Sequence, residues 1–149
     1  MTTRVYCTLR FEGLHFWQNA PEEVGFLRQT HRHIFHVRVE VNVTHDDRDI
    51  EFIMMKRHLE QFIPEAQAKL LDGCSCEMLG EFFLDKGKEK WPAVKYGVAD
   101  VSEDGENGAV VVKSFDNQDE ANKAADDKAS EERWNRGIGL NILNNLSEL

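Results

Sequence analysis

The sequence predicts an α+β domain: a four-stranded antiparallel sheet with helices grouped on one face. Three observations predict it. Two long stretches near the start alternate apolar and polar residues with period two. The middle of the chain changes to three- and four-residue spacing, and two shorter alternating stretches close the body. Strands that come in runs, with helices between the runs, pack as helices on one sheet face.

The first strand is Val5 to Trp17. Val5, Cys7, Leu9, Phe11, His15 and Trp17 share one face, and Arg10 and Glu12 lie on the other. Successive side chains of a strand point to opposite sides, so this stretch is half-buried. Gly13 interrupts it and marks either a bulge or a close backbone approach. Asn19, Pro21 and Gly25 make Gln18 to Thr30 a loop. Alternation resumes at His31. His31, His33, Phe35, Val37, Val39, Val41 and Val43 fall on one face, with Arg32, His36, Arg38, Glu40 and Asn42 on the other. Its length and β-branched content make this the clearest strand.

Thr44 to Asp49 is a polar turn. Phe52, Met55, Leu59 and Phe62 then trace the stripe of a helix. Pro64 ends that helix or restarts another over Ala66 to Leu71, and Gly73 is a stop. Ser75 is a good N-cap for a second helix carrying Glu77, Met78, Leu79, Phe82 and Phe83. Gly87 and Pro92 bracket a polar connection. Strands follow at Val94 to Val101 and Ala109 to Ser114, joined by an acidic hairpin loop, Ser102 to Gly108. Residues 1–114 therefore read as the domain and 115–149 as an appendage. The appendage is an acidic linker or helix followed by an apolar segment, Ile138 to Leu149, expected to dock on the body or on a neighbouring subunit.

The 149 residues suit one domain. With 27 acidic and 18 basic side chains the formal charge is -9, which disfavours binding to a phosphate backbone. No segment approaches the run of about 20 apolar residues that spans a bilayer, and Met1 to Arg10 lacks the apolar run of a signal peptide. Three cysteines without a disulfide-like spacing fit a reducing, cytoplasmic setting.

The chemistry concentrates in histidines. His31 and His33 leave the same face of one strand, and His15 lies on the inward face of the preceding one. Antiparallel pairing across the Gln18 to Thr30 loop brings the end of the first strand to the start of the second. Three converging imidazoles with one open position form the geometry of a catalytic zinc site. The competing reading is three satisfied core or interface histidines. His36, His45 and His58 read as surface, loop and helix-surface residues.

In the order of its pieces the chain resembles the 6-pyruvoyl-tetrahydropterin synthase and 6-carboxytetrahydropterin synthase family. The pieces are F-E-G-L-H at 11–15, H-R-H-I-F-H-V-R-V-E-V at 31–41, D-I-E-F-I-M-M-K at 49–56, C-S-C-E at 74–77 and V-S-E at 101–103. The resemblance covers about residues 4 to 113. It implies the tunnelling fold, β-β-α-α-β-β, whose subunits assemble into barrels with active sites between them. A barrel-forming homo-oligomer, such as a hexamer, is the expected assembly. It implies that His15, His31 and His33 bind Zn2+, which holds the side-chain oxygens of a dihydropterin triphosphate. Glu103 matches the glutamate that grips the pterin ring, and Glu77 matches an accessory contact. Read without the family, Glu103 is a solvated hairpin acid and Glu77 a first-turn helix acid.

The departures fall on proton transfer. The family's catalytic cysteine is replaced by Leu27. In its leucine-aspartate-histidine motif Leu71 and Asp72 match, which makes Asp72 the remaining catalytic candidate, but Gly73 stands for the histidine. Arg32 replaces a glycine between the two histidines. Cys74, Cys76, Glu22 and Glu23 are candidate replacement bases, each with a simpler reading as a core or solvated residue. The expectation is a zinc-dependent lyase of the pterin or deazapurine (queuosine-type) precursor pathway with altered acid–base residues. The alternatives are an enzyme acting on another pterin- or purine-like molecule, a protein that binds such a ligand without chemistry, and a structural oligomer without metal.

Overall fold

The computed structural model describes residues 2–115; the expectations for 116–149 lie outside the described residues. Four strands, β1 (Arg4–His15), β2 (His31–Asn42), β3 (Tyr96–Glu103) and β4 (Asn107–Ser114), form one sheet in the order β1-β2-β3-β4. Every neighbouring pair is antiparallel. Three helices, α1 (Phe52–Glu60), α2 (Ile63–Leu71) and α3 (Cys76–Lys90), lie between β2 and β3 in the chain. In space α1 and α2 pack on β1, and α3 packs on β3 and β4. This is the predicted α+β arrangement, a four-stranded antiparallel sheet carrying its helices on one face.

The alternation read from the sequence sets the faces. Cys7, Leu9 and Phe11 of β1 are buried inward, as are Phe35, Val37, Val39 and Val41 of β2 and Ala99 and Val101 of β3. Met55, Leu59, Ala66, Leu70, Leu79, Phe83 and Leu84 meet them from the helices. Phe11 stacks on Phe35 with centroids 5.9 Å apart and meets Phe83 at 6.1 Å. The outer face is mostly polar on β1 and β2, whereas on β4 it exposes Val110 and Val112. Arg32 pairs with Glu12 at 2.8 Å, Arg38 with Glu40 at 2.6 Å, and Arg38 covers the Tyr6 ring at 4.0 Å.

Several boundaries differ from the sequence reading, each for a local reason. β1 runs without a bulge through Gly13, whose partner is His33. The close approach is the correct alternative: a Cβ there would stand 2.6 Å from Leu70 Cδ1 and 2.8 Å from Phe35 Cε2. β1 stops at His15 rather than Trp17, because Trp17 N–H donates to the Leu27 carbonyl at 2.7 Å and closes the connection. That connection contains a 3-10 segment, Glu22–Arg28. Of the two readings of Pro64 the restart holds: it lies in the first turn of α2, where its missing N–H costs nothing. The second helix runs on to Lys90 through a buried Gly87 that extends the stripe of Cys76, Leu79, Phe83 and Leu84. The hairpin loop shrinks to Asp104, Gly105 and Glu106, because Asp104 at φ 55° and Gly105 at φ 71° turn the chain at once.

Candidate metal centre

The β1–β2 pairing places His15 opposite His31 and Gly13 opposite His33. The period of two sends His31 and His33 to the helix-covered face, where His15 also points. The three rings meet edge to face, with centroids 4.6, 5.2 and 4.9 Å apart for the pairs 15–31, 15–33 and 31–33. Their ligand nitrogens all lie within 4.8 Å of one another. Phe35 is fully buried and stands edge-on to His15 at 5.3 Å and to His33 at 6.1 Å, forming the floor of the cluster.

Outer contacts decide which nitrogen faces inward. His31 Nδ1 lies 2.7 Å from the Gln29 carbonyl, and His33 Nδ1 lies 2.6 Å from Asp104 Oδ2. A carbonyl and an ionised carboxylate only accept, so both Nδ1 atoms donate. His15 bonds to the backbone of Cys74. In each neutral ring Nε2 therefore keeps its lone pair. All three Nε2 atoms are buried without a hydrogen-bond partner. Burial of an unpaired acceptor is costly, and three in one place fit a cation bound between them. The arrangement of imidazoles backed by a carbonyl and a carboxylate is that of metal-ligating histidines. Burial is the first cause of the lowered His15 pKa; Glu103 opposes it, and His31 and His33 add to it. His15 thus stays neutral and ready to ligate near pH 7.

Glu103, the last residue of β3, shares the inward face with Val101 and reaches the cluster. Its Oε1 is 3.1 Å from His15 Nε2 and its Oε2 is 3.4 Å from His33 Nε2. These are ion-pair distances without hydrogen-bond geometry, consistent with the unpartnered nitrogens. Cys76 Sγ lies 3.8 Å from Glu103 Oε1.

A cavity of about 400 Å³ opens beside the cluster, within the range of about 300–1,000 Å³ common for small-molecule sites. His15, His31, Glu103 and Glu77 give it polar groups, and Phe16, Trp17 and Leu27 give it apolar walls. Cys74 and Cys76 also border it. Burial, followed by the Glu103 charge, pushes the Cys76 thiol up to about 12, and burial raises Cys74 as well. Both thiols are protonated at neutral pH and do not accept protons.

The structure thus brings together His15, His31, His33 and Glu103, with Glu77 at the cavity wall. It does not bring in Asp72. That residue is exposed and borders a groove between α2 and α3 with Lys69, Met78 and Glu81. Glu22 and Glu23 are exposed and outside the cavity lining. Gly73 is part of the α2 terminus: its N–H donates to Leu70 O at 2.9 Å, and Cys74 N–H donates to Lys69 O at 3.1 Å. With Gly73 at φ 87°, this is a Schellman turn, where glycine is favoured. Sequence reasoning missed Asp104. Its only trace was the Asp104-Gly105 pair, a turn signal that says nothing of a neighbouring imidazole.

The sequence matches no protein-family model and no curated protein. Among solved structures, the chain is similar to 6-pyruvoyl tetrahydropterin synthase from Plasmodium falciparum, with a TM-score of 0.54 and 18% identity over 76% of this chain and 99% of that one. It is equally similar in shape to the Plasmodium vivax 6-pyruvoyltetrahydropterin synthase, in a variant whose glutamate, described as a catalytic residue, is replaced by alanine. There the TM-score is 0.54 and the identity 16%, over 77% of this chain and 99% of that one. A second such variant, with cysteine at that glutamate, gives a TM-score of 0.51 at 15% identity. Across so low an identity the shared property is the fold: this chain has the architecture of the 6-pyruvoyl tetrahydropterin synthases.

Proposed function

We propose that the chain is a divergent, zinc-dependent lyase of the 6-pyruvoyl- and 6-carboxytetrahydropterin synthase type, acting on dihydroneopterin triphosphate or a related pterin- or purine-like molecule. The observation that carries this reading is the cluster of three buried, unpartnered Nε2 atoms beside a carboxylate, at the mouth of a ligand-sized cavity. The fold likeness supports it. Zn2+ bound by His15, His31 and His33 would act as a Lewis acid toward the side-chain oxygens of the substrate. Glu103 supplies a carboxylate that can accept paired N–H bonds from a pterin ring. Glu77 is an accessory polar contact, and Phe16, Trp17 and Leu27 exclude water from one side. The same reading implies a barrel-forming homo-oligomer and a role in pterin or deazapurine supply.

Proton transfer is the open part of the site. Leu27 cannot move a proton, the two nearby thiols are held neutral, and Asp72 borders a different groove. A synthase with this fold is described as using a glutamate as a catalytic residue, and Glu22 and Glu23 share the connection that carries Leu27. The replacement of the family's cysteine by Leu27 and of its histidine by Gly73 also favours a second reading, a protein that binds a pterin- or purine-like ligand without chemistry.

Zinc per subunit, measured in the wild type and in a His31→Ala, His33→Ala double variant, tests the common part. Stoichiometric zinc that the double variant loses is expected. No zinc in the wild type after reconstitution rejects both readings. Triphosphate release from dihydroneopterin triphosphate then separates lyase from binder.

A further inference from the structure

We propose that Glu103 is itself a ligand of the metal, closing in the resting protein the coordination position that a substrate would take. This rests on the zinc reading above and departs from the pterin-anchor role that the family resemblance gives Glu103. In a tetrahedral zinc site with bonds of about 2.0–2.2 Å, neighbouring ligand atoms stand about 3.3–3.6 Å apart. The carboxylate oxygens of Glu103 lie 3.1 Å from His15 Nε2 and 3.4 Å from His33 Nε2. One carboxylate oxygen thus stands near ligand spacing from His15 and the other from His33.

The protonation pattern points the same way. His33 donates through Nδ1 to Asp104, so its Nε2 lone pair faces the second carboxylate oxygen of the same hairpin. His15 bonds to the Cys74 backbone and turns an unpartnered Nε2 to Glu103. Each contact sets an imidazole nitrogen without a hydrogen-bond partner against a carboxylate oxygen, a pairing that a cation between them would stabilise. A shared metal ion would hold the two imidazoles and the carboxylate at this spacing. The Cys76 thiol donates at 3.8 Å to Oε1, the oxygen that also faces His15. Glu103 cannot ligate the metal and grip a pterin ring at once. Ligand entry must then release it, and the site is self-closed until the right molecule arrives.

Cobalt substitution of the full-length protein tests this without an activity assay. The wild type is expected to bind Co2+ stoichiometrically and to keep its visible spectrum when thiocyanate is added. Glu103→Gln is expected to change the visible bands and to admit thiocyanate. It should also lower zinc affinity in a chelator competition at least about tenfold, since loss even of an outer-shell partner costs about 10–100-fold. Glu106→Gln, on the exposed turn of the same hairpin, should behave as the wild type. A wild-type spectrum that shifts readily with thiocyanate overturns the proposal, as does an unchanged spectrum and affinity in Glu103→Gln. Either result, with metal bound, leaves the zinc reading standing. Failure of the wild type to bind any metal overturns both. If Glu103→Gln does not fold, the thiocyanate titration of the wild type decides alone.

Discussion

Asp104 accepts from His33 Nδ1 at 2.6 Å and from the Ile34 amide at 2.9 Å, on a backbone held at φ 55°. The His33 bond is the first cause of its lowered pKa, so the carboxylate stays ionised well below neutral pH. Its work is to fix which His33 nitrogen carries the proton. Asp104→Asn keeps an acceptor for Ile34 and tolerates the left-handed backbone, yet loses the charge that holds the imidazole. Zinc affinity should fall about 10–100-fold with little loss of fold, as read by chelator competition and circular dichroism. Asp49 carries a different expectation. Its Oδ2 accepts from the Thr44 amide at 2.6 Å and the Thr44 hydroxyl at 2.8 Å, and these bonds lower its pKa below the model-peptide value of 3.8. A depressed folded-state pKa means stability present above that value and lost as the pH falls through it. Asp49→Ala should therefore lower the melting temperature at pH 7 and lessen its decline on acidification below pH about 4. Equal melting curves for the two proteins at pH 7 would remove this role.

At the scale of elements, two glycines separate what the sequence made legible from what it hid. Gly73 was read as a helix stop, and it is one. The same residue was also noted as a missing histidine, and the Schellman turn explains why none is tolerated there: φ is 87°. Gly73→His should destabilise the fold by roughly 1–2 kcal/mol and restore no proton transfer, measured by urea denaturation and triphosphate release. Gly13 was read as a bulge or a close approach, and period-two patterning alone could not choose. The choice depends on Leu70 of α2, a contact between residues 57 positions apart. Gly13→Ala should cost about 1–3 kcal/mol through overpacking. Strand faces and the histidine triad were legible because the period-two pattern fixes which residues share a side. The place of Asp72 outside the cavity lining and the contact of Asp104 with His33 were not, because both depend on the local geometry of a turn.

In the described residues the buried centre of the sheet supports the site at its end. Phe35 lies between Glu103 and Phe11 in the strand register and touches two of the three imidazoles edge-on. Phe35→Ala should cost about 3–5 kcal/mol of stability and weaken zinc binding together with it, because the floor under His15 and His33 is removed. Loss of stability with undiminished zinc affinity would show that the triad is held by its outer hydrogen bonds alone. The helices lend nothing directly to the triad, although Cys76 and Glu77 at the start of α3 border the cavity beside it.

Strand order follows chain order, and this bears on the sequence of folding events. All three imidazoles belong to the first hairpin, residues 4–42, whereas Glu103 and Asp104 arrive from the last hairpin after a connection that spans residues 43–95. The early ligand set can thus exist before the costly long loop closes. A one-residue slip of β2 against β1 would send His31 and His33 to the opposite face. A metal ion held by the triad during refolding would select the correct register of the first pair and leave the last hairpin to dock on a cluster already formed. Zinc should therefore speed recovery of native structure from denaturant, and a chelator added at the start should slow it.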